Sequence, residues 1–140
     1  MKIVLFFVVF VVAMLCFVTT REPPRLLLLK DQYKKFRAAL VGTRYEYLLD
    51  KHPIITGTYT KGKLGSSVNK GYEINVCIDG DLNSMFHVLL HEIAHCSVTE
   101  YSHSEQFWSN FKDLREIAER NGLYRAIPEY TPFCGKKIKD

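Results

Sequence analysis

No internal repeat and no low-complexity tract runs through the 140 residues, which excludes a solenoid and a disordered polar chain. Neither sign of charge is in large excess: 19 Lys and Arg stand against 15 Asp and Glu, a net of +4. Lys61, Lys63 and Lys70, and then Lys136, Lys137 and Lys139, read as solvated loops rather than a nucleic-acid track. Cysteine is scarce. Cys16 lies in an apolar run, which leaves Cys77, Cys96 and Cys134, an odd set whose spacing fits neither a zinc ribbon nor a CxxC redox pair. The expectation is reduced, half-buried thiols. Histidine is scarce too, yet three of the five fall inside "LLHEIAHCSVTEYSH", residues 89–103.

Charge is absent altogether from residues 3–18, "IVLFFVVFVVAMLCFV". As a helix the run measures roughly 24 Å, and with Thr19 and Thr20 about 27 Å, just enough to span a ~30 Å hydrocarbon core. No small-x-small cleavage site follows it and Cys16 has no lipobox-like neighbours, so an uncleaved anchor is preferred to a signal peptide. Lys2 alone precedes the run, whereas Arg21, Arg25, Lys30, Lys34, Lys35 and Arg37 follow it. That count favours a single-pass topology with the C-terminal part on the cytosolic side.

Pro23 and Pro24 break the chain after the apolar run. Leu29, Tyr33, Phe36 and Leu40 then recur at helical spacing, which predicts a helix over 26–50, bent near Gly42 and stopped at Pro53. Two strands are expected, at 54–60 and, with better alternation, at 72–78. The glycine- and serine-rich stretch between them reads as loop. Asp81 or Asn83 can cap a helix over 84–96. Ser104 can cap another, with Phe107, Trp108, Phe111, Leu114 and Ile117 as its buried face and Asn121-Gly122 as its stop. The tail from Ile127 shows no period.

His91 and His95 are four residues apart, so a helix places both imidazoles on one face within reach of one ion. Glu92 points to one side of the pair. There it can take a proton from water without itself being a ligand, the arrangement of the HExxH zinc peptidases. Val88, Leu89, Ile93 and Ala94 give the helix apolar flanks. A catalytic zinc usually has three protein ligands and one open position. His103 can supply the third after the seven-residue turn "CSVTEYS", and Glu100, Glu116 and Glu119 are the rivals. His87, one turn before His91, reads as a cleft-edge group, because a fourth ligand would close the site. His52 reads as a loop residue.

"GSSVNKGYEINVCIDGDLNSMFHVLLHEIAHC", then "HSEQFW", then "YTPFCGKKI", resembles the WLM (Wss1p-like) metallopeptidases, above all the small versions carried by large DNA viruses. The resemblance spans residues 26–138, and the related SprT-like proteases share the same compact plan. It implies zinc ligands at His91, His95 and His103 and a general base at Glu92, and it is the main ground for preferring His103 to the glutamates. It also implies a host or virion membrane for the anchor. A metzincin is disfavoured, because Val98 stands where that pattern has glycine.

The expected fold is α+β. Residues 1–20 form a transmembrane anchor or signal peptide, 21–25 a linker, and 26–140 a compact minimal zincin-like domain. In that domain a long helix packs on a small sheet, the sheet packs on the HEIAH helix, and a C-terminal helix follows. The expected function is zinc-dependent hydrolysis of a protein or peptide substrate by a membrane-anchored endopeptidase. The strand at 72–78 is the candidate edge for the substrate. Two alternatives stand beside this: a membrane-tethered binding protein stapled by structural zinc, and a DNA-dependent repair-type protease. An open coordination position separates the first from the enzyme, and stimulation of cleavage by DNA would reveal the second.

Overall fold

The computed structural model describes residues 1–140, the side chain of Thr20 excepted. The uncharged run forms α1 (Lys2–Thr20), exposed over residues 2–19 and long and apolar enough to cross a membrane. A signal sequence meets the same description. Pro24, with its φ preset for a first helical turn, opens α2 (Pro24–Ala39). The helix expected over 26–50 is in fact two pieces. Gly42 at φ +78 turns the chain, and a 3-10 turn (Glu46–Asp50) follows. Thr43 Oγ1 donates to the Leu40 carbonyl at 2.7 Å and the Gly42 N–H to Glu46 Oε1 at 3.2 Å, so local side chains satisfy the broken end.

β1 (Ile54–Thr58) pairs in parallel with β3 (Glu73–Cys77), and β2 (Gly65–Val68) pairs antiparallel with β3, giving the order β1-β3-β2. The best-alternating segment is thus central, with Ile74, Val76 and Cys77 buried, and not the sheet edge expected of residues 72–78. The edges are β1 and β2. β2 lies in the stretch expected to be loop. Gly and Ser have little strand preference of their own, and the pairing comes from a tight turn at Asn69, Lys70 and Gly71, with φ of 49, 52 and 98°. The Tyr72 N–H closes that turn on the Val68 carbonyl at 3.0 Å.

Asp81 caps α3 (Leu82–Cys96) by accepting from the Ser84 N–H at 3.0 Å. Ser104 caps α4 (Glu105–Arg120) by accepting from Phe107 N–H at 3.1 Å. α3 touches β2 and β3 as well as α2 and α4, and ten of its 15 residues are buried. The expected order of layers, with the sheet between the long helix and the HEIAH helix, is therefore corrected: α2 reaches α3 directly. Phe36 and Phe86 meet edge to face there, with centroids 5.7 Å apart. Each buried ring contributes about 1.5–3 kcal/mol from removal of apolar area. Asn110 is buried but satisfied: its Oδ1 accepts from Gln106 Nε2 at 2.7 Å and its Nδ2 donates to Ser97 Oγ at 2.8 Å.

The tail, expected to be irregular, forms a hairpin of β4 (Thr131–Phe133) and β5 (Lys136–Ile138) around Cys134 and Gly135, both at positive φ. A Cys77–Cys134 disulfide ties this hairpin to the end of β3. That overturns the expectation of reduced thiols for these two residues. The odd count concealed the pair because Cys96 stays free.

Candidate metal centre

The geometry of α3 brings His91 and His95 one turn apart, with ring centroids separated by 5.0 Å. The chain leaves the helix at Ser97 and must come back within a few residues for His103 to join them. Lys70, in the β2–β3 turn, holds that return: its ammonium donates to the Val98 carbonyl at 2.9 Å and to the Glu100 carbonyl. Tyr47 hydroxyl donates to Ser97 carbonyl at 3.1 Å, and Ser104 Oγ donates to Glu100 Oε1. His103 then stands with its Nε2 at 3.3 Å from that of His91 and 3.1 Å from that of His95. A tetrahedral ion with Zn–N of ~2.0–2.1 Å would set its nitrogens about 3.3 Å apart. Three imidazole nitrogens turned toward one another present lone pairs that ring hydrogens alone cannot all answer. A cation suits them, and these three side chains could hold one.

None of the rivals joins the cluster. Among the described residues the set is His91, His95 and His103, without Glu116 or Glu119, and the Glu100 carboxylate is engaged by Ser104. His52 lies in the exposed loop before β1, its Nδ1 3.3 Å from Arg37. Burial, and then the neighbouring His95 and His103, drives the His91 pKa down to about 3, and burial lowers that of His95. Both rings are thus held in the neutral form that binds metals.

Glu92 is 7% exposed. Burial pushes its pKa up to about 7, against a hydrogen bond from the Ser67 side chain. Its carboxyl lies under β2, where the strand comes so close that a Cβ on Gly65 would stand 2.8 Å from Val88 Cγ1 and 3.3 Å from Glu92 Oε1. Glycine at 65 is required by that approach. Phe107 and Phe111 pack beneath the histidines, with centroids 4.4 Å from His95 and 5.4 Å from His91. Trp108, expected in the buried face of α4, is 50% exposed instead and rests beside the His103 ring at 5.4 Å. It follows Phe107 by 100° around the helix and so falls on the rim of the cluster rather than under it.

Sequence reasoning missed the Lys70 clamp, although the Asn-Lys-Gly turn that positions it was visible. It also missed the partners of His87. That ring is 5% exposed, with Nδ1 2.9 Å from the Tyr124 hydroxyl, which donates in turn to Asp140. Burial lowers its pKa to about 4. No spacing signal links residues 87, 124 and 140. Two clefts meet at Gly65, His91 and Glu92. One, of about 350 Å³, contains the histidine cluster, Ser66, Ser67 and Tyr101. The other, of about 240 Å³, runs over His87 toward Lys63 and Lys136.

No family model matches the chain, so the likeness to the Wss1p-like peptidases rests on the motifs alone. The chain is 46% identical over 53 residues to uncharacterized protein 136R of Invertebrate iridescent virus 6, covering 38% of this chain and 28% of that protein. It is 33% identical over 84 residues to uncharacterized protein R325 of Acanthamoeba polyphaga mimivirus, covering 53% of this chain and 43% of the relative. It therefore spans less than half the length of either. Among solved structures it is similar to the metallopeptidase zymogen of Pyrococcus abyssi abylysin, with a TM-score of 0.44 and 19% identity over 64% of this chain and 90% of that one.

Proposed function

We propose that this chain is a zinc-dependent metalloendopeptidase. The observation that carries the reading is the convergence of the His91, His95 and His103 Nε2 atoms beside the buried Glu92 carboxyl, which stays outside the donor set. Three imidazoles suit zinc. A structural zinc site is closed by four protein ligands. Among the described residues no fourth His, Cys, Asp or Glu joins the three, which supports a catalytic over a structural role. Bound there, zinc would supply Lewis-acid charge at a substrate carbonyl and acidify a water. Glu92 takes the proton of the attacking water as the carbon–oxygen bond forms. It returns that proton to the amine nitrogen as the carbon–nitrogen bond breaks. Among the described residues β2 is paired with β3 alone, so its outer edge beside Glu92 offers main-chain groups to an extended substrate segment.

Purified full-length protein in detergent should hold about one zinc per chain, and chelation should abolish casein cleavage until zinc is returned. Cleavage that survives complete metal removal would contradict the proposal.

In this reading α1 anchors the enzyme in a membrane. The Cys77–Cys134 disulfide belongs to an oxidising compartment, which argues against the cytosolic side that the charge count favours. Resistance to carbonate extraction, with Met1 or Lys2 at the mature N-terminus, is expected; a soluble form starting near residue 20 would show a cleaved signal instead.

A further inference from the structure

The 240 Å³ cleft beside Glu92 has a chemistry of its own. It is a branch of about 240 Å³ off the histidine cleft, below the ~300 Å³ of a pocket that holds a whole small ligand, so the branch has room for one side chain or one chain end of a segment lying across both. Its walls bring together Lys63, from the loop before β2, and Lys136, from β5. Both are exposed, and among the described residues neither forms an ion pair. Glu92 is the one carboxylate on the lining, and it sits at the end shared with the histidine cluster.

The two lysines do not meet by accident of a loose tail. The hairpin carrying Lys136 is fixed by the Cys77–Cys134 disulfide and by the Gly62 N–H donating to the Cys134 carbonyl at 2.8 Å. A Cβ on Gly135 would stand 3.1 Å from Gly62 N, so the hairpin sits directly on the loop that carries Lys63. Two like charges held on one small cleft repel unless an anion lies between them. On the other side of Glu92 the lysine that lines the histidine cleft is Lys70, and its ammonium is already committed to two carbonyls and to the Tyr101 ring. The uncommitted positive charge is therefore confined to one side of the site.

We infer that this cleft selects a carboxylate on the substrate, next to the bond to be cut and on one side of it only. The inference rests on the peptidase reading of the adjoining site. The carboxylate has two sources, an Asp or Glu side chain within a chain or the free C-terminus of a peptide.

The test measures binding apart from cleavage. Fluorescent peptides are titrated by anisotropy into full-length Glu92→Gln protein in detergent, loaded with zinc. One peptide has an internal Glu and an amidated end, the second has Gln in its place, and the third has Gln and a free C-terminal carboxylate. A carboxylate peptide should bind about tenfold tighter than its neutral counterpart, as expected for two partly exposed ion pairs. In Lys63→Gln/Lys136→Gln protein with an unchanged melting temperature the advantage should fall below about twofold, and added salt should erode it. A gain with the internal Glu assigns the cleft to a side chain, and a gain confined to the third peptide assigns it to a chain end. Equal binding of all three peptides, or a preference untouched by the double substitution, overturns the inference. Wild-type protein is then assayed on the same peptides. Cleavage without preference refutes the cleft inference alone, and preference without cleavage refutes the peptidase reading alone.

Discussion

Replacing both cysteines of the disulfide, Cys77→Ser/Cys134→Ser, should cost a large share of the stability of the folded part. The bridge closes a segment with a sequence separation of 57. Chain-entropy arguments put such a crosslink at about 4 kcal/mol, between the values for shorter and longer loops. Domains are stable by only about 5–15 kcal/mol, so the loss is a quarter of the total or more. With a domain of this size moving roughly 4 °C per kcal/mol, the melting temperature should fall by about 15 °C. The measurement is thermal unfolding followed by near-UV dichroism and by the fluorescence of Trp108, the one tryptophan, which lies in α4. Zinc is kept in excess throughout, because bound metal itself adds to the apparent stability. Thiol titration of the denatured, unreduced wild type should find Cys16 and Cys96 only, and reduction should release Cys77 and Cys134. A fall below about 4 °C, or four free thiols in unreduced protein, would refute the claim that this bridge pins the hairpin.

Lys70→Met should weaken zinc binding by about tenfold while leaving the three histidines intact, because the return loop loses its clamp on the Val98 and Glu100 carbonyls; competition with a chromogenic chelator reads this, and unchanged affinity would show the loop holds itself. His103→Ala should lower zinc occupancy and melting temperature together, since metal-binding energy is also folding energy. Retained zinc in His103→Ala with loss in Glu116→Ala would instead assign the third ligand to α4. Both occupancies are measured by atomic emission on gel-filtered protein.

Much of this arrangement is legible in the sequence where local chemistry and long-range packing agree. The α3 segment has an apolar flank, a capping Asp81 and a histidine pair at helical spacing, and it folds as those features dictate. α4 starts at Ser104 for the same reason. Elsewhere the decisive partner is distant. Gly65, Ser66 and Ser67 become a strand only because β3 lies alongside, and no property of those three residues announces it. The 72–78 segment reads equally well as edge or centre, since alternation says which side chains are buried and not how many neighbours the strand has. Trp108 looks like core by type, and only its angle around α4 relative to the histidines puts it on the rim. The disulfide joins residues whose pairing depends on a tail hairpin with no period of its own. The convergence of His103 depended on Lys70, a residue whose role is set by turn geometry rather than by any motif.

The central claim is that Glu92 moves protons and does not hold the ion, and Glu92→Gln tests it most directly. The amide keeps the shape of the side chain and cannot accept a proton at neutral pH. Zinc content, melting temperature and peptide cleavage are measured on the same preparation. The expected result is full zinc, a near-unchanged melting temperature and cleavage lowered by at least ~100-fold, the lower range of what general-base catalysis contributes. A Glu92→Gln protein that cuts as fast as an active wild type, or that loses its zinc, would contradict the account.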